Sequence, residues 1–265
     1  MKTRINVIVL VVLMACMAAS VQADWNVGDP YKMHYPQLPD MSPNGLDIKA
    51  TAPKILADDF QCTQTGPITD VHIWGSWLND RLPYDPTGAI DPTAPSFKLS
   101  IHLDVPAGPA PGYSHPGQEV WSTYFNPGTY HARLWGPAQE HFYDPNVGQI
   151  IGTDTQVWQY NFLIPPAAAF VQQQGTIYWL DVQALMPTPD VMFGWKTSGS
   201  PHFLDDAVWG DAPFGAPPTV WEPLVYPPGT PLGGQSMDLA FVITPEPASI
   251  TLVGLGVLAL IRRRR

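Results

Sequence analysis

The sequence predicts an all-β protein: a single antiparallel β-sandwich or jelly-roll-like domain with a short apolar segment at each end. Short apolar stretches recur between turns rich in proline and glycine, as in sandwiches and barrels. Within several of these stretches apolar and polar residues alternate, which is the period of a half-buried strand. The 10 Trp, 10 Tyr and 10 Phe supply enough apolar surface for a packed core.

The clearest strand is Phe97–Val105, where the alternation is unbroken, so one face is expected in the core and the other in water. Trp158–Ile164 repeats the pattern over a shorter span, and Ser236–Thr244 closes the domain. Pro165–Gln174 suggests a helical turn or two, opened by proline. Further strands are expected at 54–61, 68–78, 119–125, 129–135, 175–186, 191–196 and 219–225.

The first 23 residues have the pattern of a secretory signal peptide. Lys2 and Arg4 precede the apolar stretch Ile5–Ala18, and the small residues that end at Ala23 predict cleavage by signal peptidase before Asp24. Two alternatives stay open. One is a retained N-terminal anchor, and the other is a lipoprotein modified at Cys16, which ends a lipobox-like Leu-Met-Ala-Cys.

The last residues combine a short apolar run with a block of arginines. Ala248–Ile261 would form a helix of about 21 Å, shorter than the ~30 Å hydrocarbon core of a bilayer. The arginines that follow should stay on the cytoplasmic side. Pro245 and Pro247 cannot lie inside the helix, so they are expected extended at the outer surface of the membrane. An ordinary tail anchor is the alternative.

This tail resembles the PEP-CTERM sorting signal of bacterial exosortase substrates. The resemblance covers residues 245–265 and is carried by Pro245, Glu246 and Pro247, then the apolar run, then Arg262, Arg263, Arg264 and Arg265. It implies that a membrane-embedded exosortase recognises the triplet and removes the tail. It also implies transient anchoring in the inner membrane by the C-terminal helix, and delivery to the cell surface or extracellular matrix. Membrane contact is expected only through this segment.

The remaining domain, 24–244, is strongly acidic. The whole chain has a net charge of −10, and the two end segments carry six of its basic residues but only one acidic residue. The basic residues that remain do not cluster, so nucleic acid is not an expected partner. Cys62 is the one cysteine left after signal cleavage, so no internal disulfide is expected. Its thiol is expected in the core, with an intermolecular bridge or a reactive thiol as alternatives.

Several short segments of this domain resemble an uncharacterised domain common in bacterial PEP-CTERM proteins. The resemblance spans most of 35–243 and implies a β-sandwich on an exported protein, with no established activity. The segments are ADDFQC at 57–62, ITDVHIWGSW at 68–77, IHLDVPAG at 101–108, SHPG at 114–117, GTIYWLDVQA at 175–184, FGWKTS at 193–198 and DDAVWG at 205–210.

The familiar signatures of hydrolases are missing from the sequence, and no catalytic residue is predicted. There is no G-x-S-x-G, no H-E-x-x-H and no paired C-x-x-C. Before the tail the only glutamates are Glu119, Glu140 and Glu222, and no predicted strand carries a glutamate pair. A secreted glycosidase or lyase on a jelly-roll scaffold, built on aspartates, stays as the alternative function.

No metal or cofactor site is predicted, although two patterns have the right residue types. Asp70 with His72, and His102 with Asp104, lie two apart on strands, so a transition metal would fit if those strands were neighbours. Solvated strand faces are the simpler interpretation. A structural calcium ion is the alternative for three acidic segments: Asp144-x-Asn146-x-Gly148, Asp58-Asp59 and Asp205-Asp206.

The aromatic residues favour a binding role. Trp179 shares a strand face with Asp181, opposite the apolar Tyr178 and Leu180, so it is expected to point outward. Trp179 and Asp181 are therefore the candidate ligand-binding residues, and exopolysaccharide is the candidate ligand. The sequence as a whole predicts an exported, non-enzymatic protein of structural or adhesive type.

Overall fold

The computed structural model describes residues 24–245 and confirms the predicted all-β sandwich. The predicted signal peptide, and the sorting signal from Glu246 onward, lie outside the described residues. No helix within 24–245 is long and apolar enough to cross a membrane. The expected helical segment after Pro165 is a single 3-10 turn, Pro166–Ala168, and a second such turn is Leu78–Asp80.

The strands follow one another with short turns between most of them. Ten of them overlap strands that the sequence predicts, whereas β1, β12 and the two-residue β3 and β9 were not expected. In chain order they are β1 Leu46–Lys49, β2 Lys54–Gln61, β3 Gly66–Pro67, β4 Asp70–Trp77, β5 Ser96–Val105, β6 His115–Phe125, β7 His131–Asp144, β8 Gln149–Leu163, β9 Val171–Gln172, β10 Ile177–Leu185, β11 Phe193–Lys196, β12 Val208–Asp211, β13 Glu222–Pro223 and β14 Phe241–Ile243. The predicted closing strand, 236–244, is regular only over β14.

The first sheet, sheet 1, has the order β11-β1-β7-β8-β4-β14. Its pairings are antiparallel except for β1 with β7. Because β11 also pairs with β4, the strands β1, β7, β8, β4 and β11 close into a ring. The pair β7–β8 shows three irregularities of register, and such bulges bend a hairpin strongly enough to allow closure.

The second sheet, sheet 2, has the order β13-β12-β2-β10-β5-β6 and is antiparallel throughout. The main core lies between the two sheets. Sheet 1 contributes residues such as Ile73, Phe162 and Trp195, and sheet 2 contributes residues such as Phe60 and Leu180. Cys62 is also buried here, as predicted, and burial raises the pKa of its thiol to about 12.

The outer face of sheet 2 is covered by a third layer, which the sequence did not predict. Trp221 packs on Trp179, and Gly215 N donates to Gln183 Oε1 at 3.0 Å, so the segment from 213 to 221, which follows β12, lies over the strands. The expectation that the polar face of Phe97–Val105 is wet is therefore wrong. Lys98 and His102 are each only 2% exposed.

Candidate functional site

Five polar side chains meet inside the ring of sheet 1, one from each strand. Side chains from all five strands of a closed ring can converge only in its interior. All five are at most 1% exposed to solvent. This ring cluster consists of Asp47 on β1, Ser76 on β4, Glu140 on β7, Asp154 on β8 and Lys196 on β11.

The register of the strands brings the charged members together. Asp47 lies opposite Lys196 across β1 and β11, and Glu140 lies opposite Asp154 across β7 and β8. Lys196 Nζ is 2.6 Å from Glu140 Oε2 and 3.5 Å from Asp47 Oδ2. One oxygen from each of the three carboxylates lies within 4.8 Å of the others. A single base is thus surrounded by three acids.

Glycine allows the backbone to close over this cluster. A Cβ atom on Gly45 would lie 2.7 Å from Lys196 Nζ and 2.8 Å from Glu140 Oε1. A Cβ atom on Gly194 would lie 2.9 Å from Asp47 Cβ. Both separations are too short for a side chain, so these two glycines are needed for the approach of the backbone to the buried charges.

Burial controls the protonation of the cluster. It raises the pKa of Glu140 to about 8 and that of Asp154 to about 9, and it also raises the pKa of Asp47. Burial disfavours the charged form of Lys196, but the attraction of Asp47 and Glu140 outweighs it and raises the lysine pKa. The site can therefore hold protons on acids and base alike near neutral pH.

A second buried polar group lies on the covered face of sheet 2. His102 Nε2 is 2.6 Å from Asp181 Oδ2, and His102 Nδ1 is 3.0 Å from the carbonyl oxygen of Gly117. Both ring nitrogens face acceptors, which suits the doubly protonated imidazolium. Burial opposes this charge, but the hydrogen bond to Asp181 and its charge raise the pKa of His102.

The two candidate ligand-binding residues belong to this covered layer, so their predicted exposure is wrong. Trp179 and Asp181 do face away from the main core, as the alternation predicts, but both are 0% exposed. Trp179 packs against Ala57 and Trp221, and its Nε1 donates to Asp104 Oδ1 at 2.8 Å. A sugar ring cannot stack on an indole that the third layer already covers.

The two His-Asp patterns do not converge. His72 is on β4 of sheet 1 and His102 is on β5 of sheet 2, so their strands are not neighbours. His72 instead contacts Asn161 Oδ1 at 2.6 Å and Asp70 Oδ2 at 3.2 Å. The transition-metal arrangement therefore has no geometric basis.

The acidic segments considered for calcium have protein partners. Asp144 Oδ2 is 2.7 Å from Lys49 Nζ, and its Oδ1 accepts from Asn146 N at 3.0 Å. Asp58 Oδ2 accepts from Gln37 Nε2 at 2.7 Å and from Leu239 N at 2.6 Å. These contacts tie β2 and the β7–β8 turn to neighbouring segments.

A surface cavity of about 640 Å³ lies between the proline-rich segment 227–232 and the turn 148–150. Asn44 and Leu46 also line it, next to the Gly45 that closes over the ring cluster. His141 and Gln149 bring further polar side chains to its wall. Its volume lies in the range of small-molecule sites.

Together these features define an all-β sandwich domain that encloses several charged groups. The chain belongs to the DUF7901 family, a domain of unknown function, whose family model matches residues 33–244. The PEP-CTERM protein-sorting motif matches residues 244–265, which confirms the resemblance of the tail. The protein is therefore an exported substrate of exosortase. Neither a curated protein nor a solved structure matches the chain.

Sequence reasoning missed the ring cluster. The available signal was a charged residue inside short apolar strands: Asp47 in LDIK and Lys196 in FGWK. Such a residue is rarely buried unless it is paired, so each pointed to a buried partner. The sequence did not show that Asp47 and Lys196 are partners, because β1 and β11 become neighbours only in the closed ring.

Proposed function

We propose that the mature domain is a structural component of the cell surface or extracellular matrix, delivered there by exosortase after a C-terminal helix has anchored it in the inner membrane. The observation that carries this proposal is the continuity of the two family matches. The domain of unknown function ends at residue 244, where the sorting motif begins. The described chain leaves the sandwich just there, since β14 pairs with β4 up to Ile243.

The enclosure of the charged groups supports a structural role over catalysis. A glycosidase needs two carboxyl groups that face a bound sugar. The three acids of the ring cluster are close enough to cooperate, but at 0–1% exposure no polysaccharide reaches them. His102 is equally covered, and both of its nitrogens are engaged. The partners of both groups therefore lie within the protein and not in a bound substrate.

Delivery to the surface is tested by expressing the full chain in a host that carries exosortase. The protein recovered from the surface fraction should lack residues 1–23 and everything from about Pro245 onward, as measured by intact mass. Glu246→Ala should leave the tail in place and the protein in the inner membrane. Glu222→Ala, which removes an exposed acid of the folded domain, is the matched control. Surface protein that still carries its four arginines would contradict the sorting proposal.

A second candidate function is adhesion to exopolysaccharide, and the 640 Å³ cavity favours it. The cavity is concave and offers Asn44, His141 and Gln149 as polar partners, and the acidic chain tolerates a neutral glycan. It replaces the covered Trp179 as the proposed binding position.

Binding is tested by co-sedimentation of the exported protein with exopolysaccharide purified from the same host. His141→Ala should weaken binding about tenfold, or roughly 1.4 kcal/mol. His131→Ala, an exposed histidine at the other end of β7, should leave it unchanged. Equal loss of binding in both variants, or no binding by the wild-type protein, would rule out adhesion through this cavity and leave only the structural role.

A further inference from the structure

Lys196 occupies an unusual position for a lysine. Its side chain is 0% exposed, and it lies within an aromatic strand whose neighbours Phe193 and Trp195 belong to the main core. The carboxylate oxygens around it, and Nζ itself, lack hydrogen bonds of regular geometry despite their short separations. Buried charges that are incompletely hydrogen-bonded are costly, and evolution seldom retains them without a purpose.

We propose that Lys196 and Asp47 are joined by an isopeptide bond between Nζ and the side-chain carboxyl carbon, formed within the folded domain. This inference goes beyond the structural role proposed above and does not depend on export. It explains why one amine and several acids are enclosed together, away from any substrate.

The position of Asp47 identifies it as the acyl partner. Asp47 and Lys196 are directly opposite each other in an antiparallel pair, and Lys196 Nζ lies 3.5 Å from Asp47 Oδ2. Condensation between directly opposite residues needs little movement of the backbone, because the strand register already brings the side chains into contact.

Glu140 is placed to carry the proton. Its carboxylate is 2.6 Å from Lys196 Nζ and also contacts the carboxyl group of Asp47. A group that touches both reacting residues can accept a proton from one and return it to the other. Asp154 and Ser76 complete the enclosure and keep a further proton available near Asp47.

The reaction balances without a cofactor. The neutral amine of Lys196 attacks the carboxyl carbon of protonated Asp47, and the new C–N bond forms as Nζ gives a proton to Glu140. Glu140 returns that proton to the departing hydroxyl group, the C–O bond breaks, and one water molecule leaves. The products are a neutral amide, one water and Glu140 in its starting state. No oxidant or reductant is consumed.

The environment favours both reactants and product. Burial raises the carboxyl pKa of Asp47, which favours the protonated form that the amine attacks, and it raises the pKa of Glu140 to about 8, so Glu140 can both accept and return a proton near neutral pH. The charges of these acids also raise the pKa of Lys196, which favours an ion pair. Transfer of one proton inside the pair gives the neutral amine and acid without changing the net charge, and low polarity lowers the cost of that step. Exclusion of water then opposes hydrolysis of the amide.

The bond would close the ring of sheet 1 covalently. It would join β1 to β11 and so link two short strands that are distant in sequence. Exported domains commonly obtain such a link from disulfides. Within residues 24–245 the single cysteine, Cys62, is unpaired, so this domain has no internal disulfide.

Mass spectrometry of the full exported chain, denatured before measurement, tests the proposal. The wild-type protein should be lighter than expected by one water, when its mass is compared with that of Lys196→Met and corrected for the substitution. Digestion should release one branched peptide in which Lys196 and Asp47 are linked. Lys98→Met is the matched control, because Lys98 is also buried and lies 2.8 Å from an acid, Glu119. It should keep the loss of water.

Two variants separate the roles of the acids. Asp47→Asn should still form the bond with loss of ammonia, and so reach the wild-type mass, whereas Asp47→Ala should retain its full mass. Glu140→Gln should retain its full mass while keeping the circular-dichroism spectrum of the wild type. If these variants fail to fold, the wild-type mass and the branched peptide decide alone.

Several outcomes would overturn the proposal. A wild-type protein at full mass would do so directly. Loss of water that persists in Asp47→Ala would mean that another acid forms the bond, and it would refute the assignment of Asp47 as the acyl partner. A divalent cation retained in native mass spectra, with no loss of water after denaturation, would make the three carboxylates a metal site instead.

Discussion

The ring cluster in sheet 1 and the His102–Asp181 pair in sheet 2 are both buried, but they differ in the number of acids for each base. The pair has one base and one acid, and each ring nitrogen of His102 meets one acceptor. The ring cluster has one base and three acids, and its polar atoms lack regular hydrogen bonds. A balanced pair serves the stability of the fold, whereas an unbalanced cluster stores protons and favours chemistry between its members.

The largest difference between the two regions is expected in how the free energy of unfolding depends on pH. Folding raises the pKa of Glu140 from 4.5 to about 8 and that of Asp154 from 3.8 to about 9. Between these values the folded state holds protons that the unfolded state has released, so the free energy of unfolding should fall as pH rises. His102 acts in the same direction. Its contribution to the free energy of unfolding is fully present below pH 6.5, the unfolded pKa, and is lost only as pH rises through its raised folded pKa.

Urea denaturation between pH 5 and 9 measures this effect. Glu140→Gln and Asp154→Asn together should flatten the slope below pH 6.5, where His102 does not contribute. His102→Gln should change the slope only above that value. A wild-type profile that is flat throughout would mean that neither region titrates with folding.

Removal of Lys196 from the ring cluster is expected to cost about 3–5 kcal/mol, since it leaves the buried acids without the nitrogen partner around which they are arranged. Lys196→Met keeps the length of the side chain and should lower the midpoint of thermal unfolding accordingly. Adding Asp47→Asn should restore part of the loss, because the two residues share one interaction. Strictly additive losses would show that the lysine and the aspartate do not act together.

Removal of the acid from the balanced pair is expected to cost less, about 1.5–3 kcal/mol, which is typical of a hydrogen bond to a charged group. Asp181→Asn preserves shape and can still accept one hydrogen bond from His102. It should also lower the pKa of His102, which an NMR titration of the imidazole would detect. An unchanged histidine pKa would argue against the ion pair.

The smallest change is expected for Trp179→Phe. It removes the Nε1 hydrogen bond to Asp104 but keeps most of the packing against Ala57 and Trp221, so the loss should be about 0.5–1.5 kcal/mol. Chemical denaturation measures it. A gain in accessibility of neighbouring residues to hydrogen exchange would show that the indole also holds the third layer in place.

The strands with unbroken alternation were predictable, and β2 was placed at its observed bounds. The strands β1 and β12 were not, because LDIK and VWGD are too short to show a period. The candidate site was predicted least well. Alternation assigned Trp179 to the correct face of its strand, but exposure depends on what packs against that face. Here the covering segment follows more than twenty residues later in the chain.

The sequence by itself determined that this protein is an exported exosortase substrate and that its fold is all-β. A sorting motif consists of contiguous residues, and an alternating strand is a local pattern, so both are visible without coordinates. Only the tertiary structure decided that Asp47, Glu140, Asp154 and Lys196 share one enclosed space, and that both faces of β5 and β10 in sheet 2 are largely buried. Both depend on strand pairings and packing between distant segments, which no local pattern encodes.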